Sequence, residues 1–212
     1  MLQILSLDSV DSTQKYLKEL MLEDKISPPC AVMANFQTAG VGSRENSWNG
    51  VRGNLFLSFA LALEDLPKDL KLESASIYFS FILKETLEDF GSALWLKWPN
   101  DFYINNKKVG GMITNLVKNS LLCGVGLNMA KAPNNFTKLD VDLHRDELIK
   151  RYFLNIEKKS SWKQVFSKYE LEFYKNQKFY THSKSLKISL ENASLQSDGS
   201  VVINGERIYS LR

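Results

Sequence analysis

The stretch Lys97-Trp98-Pro99-Asn100-Asp101, followed seven residues after its aspartate by Lys108 and then by Gly110-Gly111, gathers a cation, an amide, a carboxylate and bare backbone into one short segment. Pro99 forces Trp98 out of helical space and lacks an N–H, so the apolar run Leu94 to Lys97 ends there as a strand. The residues after Asp101 read as a hairpin. Phe102-Tyr103-Ile104 and Val109 to Leu116 are strand-like, and Asn105-Asn106 suits a two-residue turn because asparagine tolerates positive φ. With those asparagines as the loop, Tyr103 opposes Lys108 and Asp101 opposes Gly110. Asp101 and Lys108 are then same-face diagonal neighbours, roughly 7 to 8 Å apart at the backbone. Gly110-Gly111 weakens a strand unless something approaches the main chain closely, so the hairpin suits a ligand-facing surface. The same spacing also fits a solvated Asp and Lys beside a turn, with the glycines at a bulge.

The loop from Gln37 to Trp48 is the second chemically informative piece. Its free backbone N–H groups and cationic side chain suit carboxylate and phosphate oxygens. It matches neither standard nucleotide fingerprint: Gly40-Val41-Gly42 lacks the third glycine of a Rossmann turn, and the chain has no GKS or GKT for a P-loop. On its residues alone it also fits an ordinary surface loop.

Taken together, KWPND, the KVGGMI run after it and the GVGLN run at Gly124 to Asn128 resemble the biotin protein ligase family. Asp11-Ser12-Thr13 is similar to that family's early biotin-pocket segment, and Gln37-Thr38-Ala39-Gly40 through Trp48 to its adenylate loop. Order and spacing are kept from about residue 8 to residue 128, more than half the chain. The catalytic-type sequence starts within about ten residues of Met1, leaving no room for a helix-turn-helix, so the expected type is monofunctional and does not bind DNA.

The resemblance implies ATP-dependent biotinylation of an acceptor lysine through a biotinoyl-5′-AMP intermediate. The acceptor would be a biotin carboxyl carrier protein, such as the biotin-accepting domain of acetyl-CoA carboxylase. ATP and biotin are then substrates, with Mg²⁺ held mainly by the nucleotide phosphates rather than by a carboxylate cage. Lys108 would bridge the biotin carboxylate and the α-phosphate, and Asp101 would accept a proton from the attacking lysine or orient it. Ser12, Thr13 and Gln14 would meet the ureido ring, with Gln37, Gly40, Val41, Gly42, Ser43 and Gly111 completing the biotin site. Arg44, Trp48, Asn54, Asn100 and Asn128, again with Lys108, would hold the nucleotide, Trp48 closing over adenine.

The chain departs from the family in this loop. Val41, Ser43 and Asn46 stand where arginine is common, only Arg44 is basic, and Glu45 adds an anion. Gln14 replaces a frequent asparagine. A lipoate or octanoate ligase of the same fold is the nearest alternative, but the arginine-arginine-serine-glycine-glycine-glycine loop of those enzymes is absent. A non-catalytic biotin-binding module is a further alternative, against which intact Lys108, Asp101 and Asn128 argue. Several motifs also have plain structural readings: Ser12-Thr13 as a helix cap, Trp98 as core, and Gly124 and Gly126 as relief of crowding in a strand.

Periodicity sets the scaffold around these residues. Gln3 to Leu7 reads as a strand, and Asp11 or Ser12 caps a helix with the stripe Tyr16, Leu17, Leu20 and Met21. Cys30 to Asn35 is a strand, Gln37 to Gly53 with its four glycines a mobile loop, and Leu55 to Leu63 a buried strand. Glu73 to Phe90 is an amphipathic helix whose inner side is Ala75, Tyr78, Phe79, Ile82, Leu83 and Leu87, stopped by Gly91. Leu94 to Leu127 supplies three or four strands. Helices near Asp146 to Lys158 and Trp162 to Gln177 form a packing layer, with Trp162, Phe166, Tyr169 and Phe173 as a core stripe. From about Lys184, turns at Asp198-Gly199 and Asn204-Gly205 mark short strands.

The expectation is an α+β fold, a mixed sheet covered by helices, with residues 1–183 as catalytic domain and 184–212 as a small β module. The resemblance adds a class II aminoacyl-tRNA synthetase-like architecture and an SH3-like character for the module. With 212 residues and 44% hydrophobic content the chain has enough apolar residues for a full core. A net charge of +3 with intermixed signs is too mild for a nucleic-acid stripe but suits an acidic protein partner. Cys30 and Cys123 lie apart in apolar runs and read as buried reduced thiols, and His144 and His182 are too isolated for a metal site. No apolar run reaches membrane-spanning length, and a cytoplasmic location is expected.

Overall fold

A computed structural model describes residues 2–43, 46–48, 50–183 and 186–210. Strands β1 (Gln3–Leu7), β2 (Cys30–Ala34), β5 (Leu55–Ala62), β6 (Trp95–Lys97), β7 (Asp101–Ile104), β8 (Lys107–Val117) and β9 (Ser120–Leu127) form one seven-stranded sheet in the order β1-β2-β5-β9-β8-β7-β6. β1 and β2 run parallel and every other neighbouring pair is antiparallel. The remaining β3 (Gly40–Val41) and β4 (Ser47–Trp48) make a separate two-stranded ribbon.

Alternation along the strands sorts the two faces of the sheet. Cys30, Val32 and Ala60 pack with Leu122 and Val117 against Leu17 and Met21 of α1 (Thr13–Leu22). Ala31, Leu57, Phe59, Cys123 and Val125 point the other way, into the main core with α2 (Ala75–Glu88), α3 (Arg145–Glu157) and α4 (Trp162–Glu172). Ser12 caps α1, its hydroxyl accepting from the Lys15 N–H at 3.4 Å.

Helix α2 differs from the expected amphipathic helix. It is buried almost all round, Ser76, Ser80, Lys84 and Thr86 included, because α3 and α4 cover what would have been its wet side. Lys84 is tolerated there by pairing with Glu172, and with Glu88 at 3.0 Å. The hairpin register also differs. Tyr103 opposes Lys108 as expected, but a bulge shifts the ladder so that Asp101 opposes Gly111 rather than Gly110. The bulge brings Lys108 and Gly111, three positions apart, onto one face. Asn105 supplies the anticipated positive φ of 51°.

At the C-terminus β10 (Tyr180–Ser183) pairs with β11 (Leu186–Ser189), and β12 (Ser194–Leu195), β13 (Val201–Ile203) and β14 (Glu206–Ile208) form a three-stranded sheet. Leu190, Val201, Ile203 and Ile208 join the main core. Trp98 is core as well: it is fully buried, and its Nε1 donates to the Gly199 carbonyl at 2.8 Å.

Candidate active site

The site lies on the α1 face of the sheet, where glycines in β8 and β9 leave an open cleft. At one end the first turn of α1 presents Ser12, Thr13 and Gln14, all buried. The Thr13 N–H and hydroxyl both reach Gln37 Oε1, at 2.7 and 3.0 Å. Thr13 Oγ1 also meets Ser58 Oγ at 2.9 Å, and Ser58 donates to Gln14 Oε1 at 3.2 Å. Gln14 Nε2 in turn donates to Asn115 Oδ1 at 3.0 Å. A β-carbon at Gly124 would displace the Gln14 carboxamide from this position.

Opposite this polar end stands the hairpin. Lys108 Nζ donates to Asp101 Oδ1 at 2.5 Å, and Lys97 Nζ reaches the other carboxylate oxygen at 3.4 Å. Burial alone would raise the Asp101 pKa, but the Lys108 charge and then the Lys97 charge, with their hydrogen bonds, hold it below the usual carboxylate value. Asn100 is fixed beside them by donating to the Met112 carbonyl, while its own carbonyl accepts the Met112 N–H at 2.9 Å.

The third wall is the ribbon. Over its described residues the loop forms a short paired ribbon: Gly40 pairs with Trp48, and the Gly42 N–H donates to the Asn46 carbonyl at 2.7 Å. Val41, Gly42, Ser43 and Trp48 face the cleft, whereas Gly40 does not; it lets Gln37 and the Trp48 carbonyl approach the backbone. The Trp48 indole rests on Gly126 and meets Phe136 edge-on at 6.3 Å. Arg44 lies outside the described residues.

Asn54 and Asn128 sit beside the cleft rather than in its lining. The Asn54 Nδ2 donates to Asn128 Oδ1 at 3.1 Å and to the Lys131 carbonyl at 2.8 Å. Its Oδ1 accepts the N–H groups of Met129, Ala130 and Lys131 at 3.1, 3.0 and 3.2 Å. Both ends of the Asn54 carboxamide are thus committed to the turn after β9. Asn128 Nδ2 and Trp48 Nε1 are buried donors with no protein acceptor among the described residues.

Ser58 and Asn115 were missed from sequence, and Lys97, although it heads the KWPND run, was given no role there. Ser58 left one signal, being the only hydroxyl in the apolar run Leu55–Ala62. Asn115 left none. Among the described residues no group of three or more His, Cys, Asp or Glu side chains could hold a metal ion. No described helix is long and apolar enough to cross a membrane.

Comparison with known proteins places this geometry. The family model described as Biotin/lipoate A/B protein ligase family matches residues 6–129. The biotin acetyl coenzyme A carboxylase synthetase of Helicobacter pylori, solved with bound biotinylated ATP, is 36% identical with a TM-score of 0.95, covering 99% of this chain and 100% of that one. The biotin protein ligase of Aquifex aeolicus, in complex with biotin and ATP, is 26% identical with a TM-score of 0.78, covering 99% and 96%. The bifunctional ligase/repressor BirA of Escherichia coli is 32% identical over 128 residues, which is 57% of this chain and 39% of that protein. The chain thus spans well under half the length of that relative. With the family signature over more than half of its residues and its fold shared end to end with the H. pylori synthetase, this chain belongs to the biotin/lipoate A/B protein ligase family.

Proposed function

We propose that this protein is a biotin protein ligase, which activates biotin with ATP and transfers it to a lysine of a biotin carboxyl carrier protein. The observation that carries the reading is the Lys108–Asp101 pair, 2.5 Å apart, facing a cleft whose far end is a chain of side-chain hydrogen bonds. An acid with a polar ring suits that cleft. The ring's N–H and C=O groups meet Thr13, Gln14, Gln37 and Ser58, and its carboxylate points toward Lys108.

In the first half-reaction a carboxylate oxygen attacks the α-phosphorus of ATP, the bond to the β-phosphate oxygen breaks, and pyrophosphate leaves. Two anions must meet, so the Lys108 ammonium is placed where their charges meet. Trp48 and the free Asn128 Nδ2 donor offer the adenosine a ring face and a hydrogen bond. Asn54 holds Asn128 for that purpose. Mg²⁺, when bound, would be carried by the nucleotide phosphates and would offset their charge, because the nearby Asp101 carboxylate already pairs with two lysines.

In the second half-reaction the acceptor amine attacks the acyl carbon, an N–C bond forms, the C–O bond to phosphate breaks and AMP leaves. The attacking lysine, with an ordinary pKa of about 10.4, first loses a proton, which passes to water in the open cleft. Asp101, held ionised by its lysines, serves as an orienting anion rather than a proton store. Free, buried Cys30 and Cys123 suit a reducing, cytosolic setting.

ATP–pyrophosphate exchange with Mg²⁺ tests the reading, with biotin or lipoate as the only added acid. Exchange with biotin alone is expected. Exchange with lipoate alone would keep the acyl-adenylate chemistry and replace the substrate, and exchange with neither would leave a binding module.

A further inference from the structure

Asp101 carries two cations of different standing. Lys108 lines the cleft beside it, whereas Lys97 stands behind, outside the cleft lining, with a side chain only 9% exposed. Lys97 and Asp101 are directly opposite residues of the β6–β7 ladder, so the sheet register itself keeps them together. The Lys97 ammonium also lies 5.8 Å from the centroid of the Tyr103 ring, which helps confine it. On the proposed function, Lys108 must turn toward the acid and the phosphate, which removes its contact with Asp101 Oδ1. Above that oxygen Gly111 contributes no side chain; even a β-carbon there would come within 3.3 Å of Oδ1. The oxygen that Lys108 leaves is therefore an uncovered anion facing the cleft.

We propose that Lys97 is a positioning residue that keeps Asp101 anchored when Lys108 leaves it, so that the vacated oxygen becomes the seat of the acceptor's lysine ammonium. Lys108 thus occupies, in the free protein, the place that the incoming lysine takes in the second half-reaction. The groups facing Asp101 from each neighbouring strand are Lys97 on β6, Tyr103 on β7 and Lys108 on β8. With Lys108 withdrawn, Lys97 is the cation left among them.

The inference rests on the biotin ligase reading and is tested on the intact chain with Lys97→Met and Lys97→Arg. Three rates are compared: ATP–pyrophosphate exchange with biotin, trapping of the adenylate by hydroxylamine, and single-turnover transfer to a biotin carboxyl carrier domain. Hydroxylamine is uncharged at pH 8 and needs no anionic seat. Lys97→Met is expected to slow transfer by at least about tenfold and to move the acidic limb of its pH profile up. Exchange and trapping should stay within about threefold, and Lys97→Arg should restore transfer. If Lys97→Met does not fold, Lys97→Gln carries the same comparison. Equal losses in all three rates, or an unchanged transfer rate, would overturn the inference. Absence of biotin exchange in the native protein would instead overturn the functional reading beneath it.

Discussion

The Trp48 indole lies so close to Gly126 that a β-carbon at residue 126 would sit 2.5 Å from two of its ring atoms. A ribbon that carries the aromatic wall of the cleft is thereby docked on the sheet through a missing side chain. Gly126→Ala should push Trp48 off the strand. Overpacking of this kind costs about 1–3 kcal/mol where the neighbour cannot give, and here the ribbon gives instead. The expected outcome is a rise of about tenfold in the KM for ATP with the urea midpoint little changed. An unchanged KM would separate the ribbon from nucleotide binding.

Lys108→Ala should reduce pyrophosphate exchange by about a thousandfold while circular dichroism and thermal melting stay native, because only the cation at the meeting point of two anions is lost. Near-normal exchange would remove Lys108 from its role. Asp101→Asn should slow acceptor labelling more than exchange.

Asn54 ties together five hydrogen bonds within the turn after β9, all of them buried or partly so. Asn54→Ala leaves three N–H groups without that acceptor and should destabilise the fold by about 2–3 kcal/mol in urea titration. It should also weaken ATP binding, since Asn128 loses its tether. A loss confined to stability would mean that Asn128 does not touch the nucleotide.

Burial pushes the Cys30 thiol up to about 11 and the Cys123 thiol well above its ordinary value. A raised folded pKa favours the neutral thiol in the native state. That contribution to stability is present below the unfolded value of about 9 and is lost as pH rises through the folded value. Native protein at pH 8 should therefore react only slowly with a thiol-specific disulfide reagent, and urea-unfolded protein fast at two sites. Rapid native labelling of Cys30 would show that the α1 layer opens readily.

The Gln37 to Trp48 loop is poor in arginine, and Val41 and Ser43, which face the cleft, stand where the resemblance to biotin protein ligases implies that residue. The intermediate should be held less by charge and more by backbone contacts. Its half-life on the enzyme should be shorter than in arginine-rich relatives, and Val41→Arg should lengthen it, as read by filter retention of labelled adenylate. A half-life equal to that of those relatives would sink this idea.

How much of this was legible in the sequence depended on range. The turn at Asn105-Asn106, the strand end before Pro99, the cap at Ser12 and the stop at Gly91 rest on backbone preferences of one or two residues, and each stands in the structure. The pairing of Lys108 with Asp101 was legible because a hairpin keeps its partners seven residues apart. The bulge that aligns Asp101 with Gly111 was not, since register is set by what each face buries rather than by the turn alone. Nor did the alternation along α2 disclose that it is buried on every side, a consequence of two later helices closing over it. The polar end of the cleft joins Thr13 to Gln37 across 24 residues and to Ser58 across 45, and Asn54 finds Asn128 across 74. Local chemistry chose the residue types and the short elements. Which side chains meet, and which of them are committed to structure, depended on long-range packing that no short window of sequence contains.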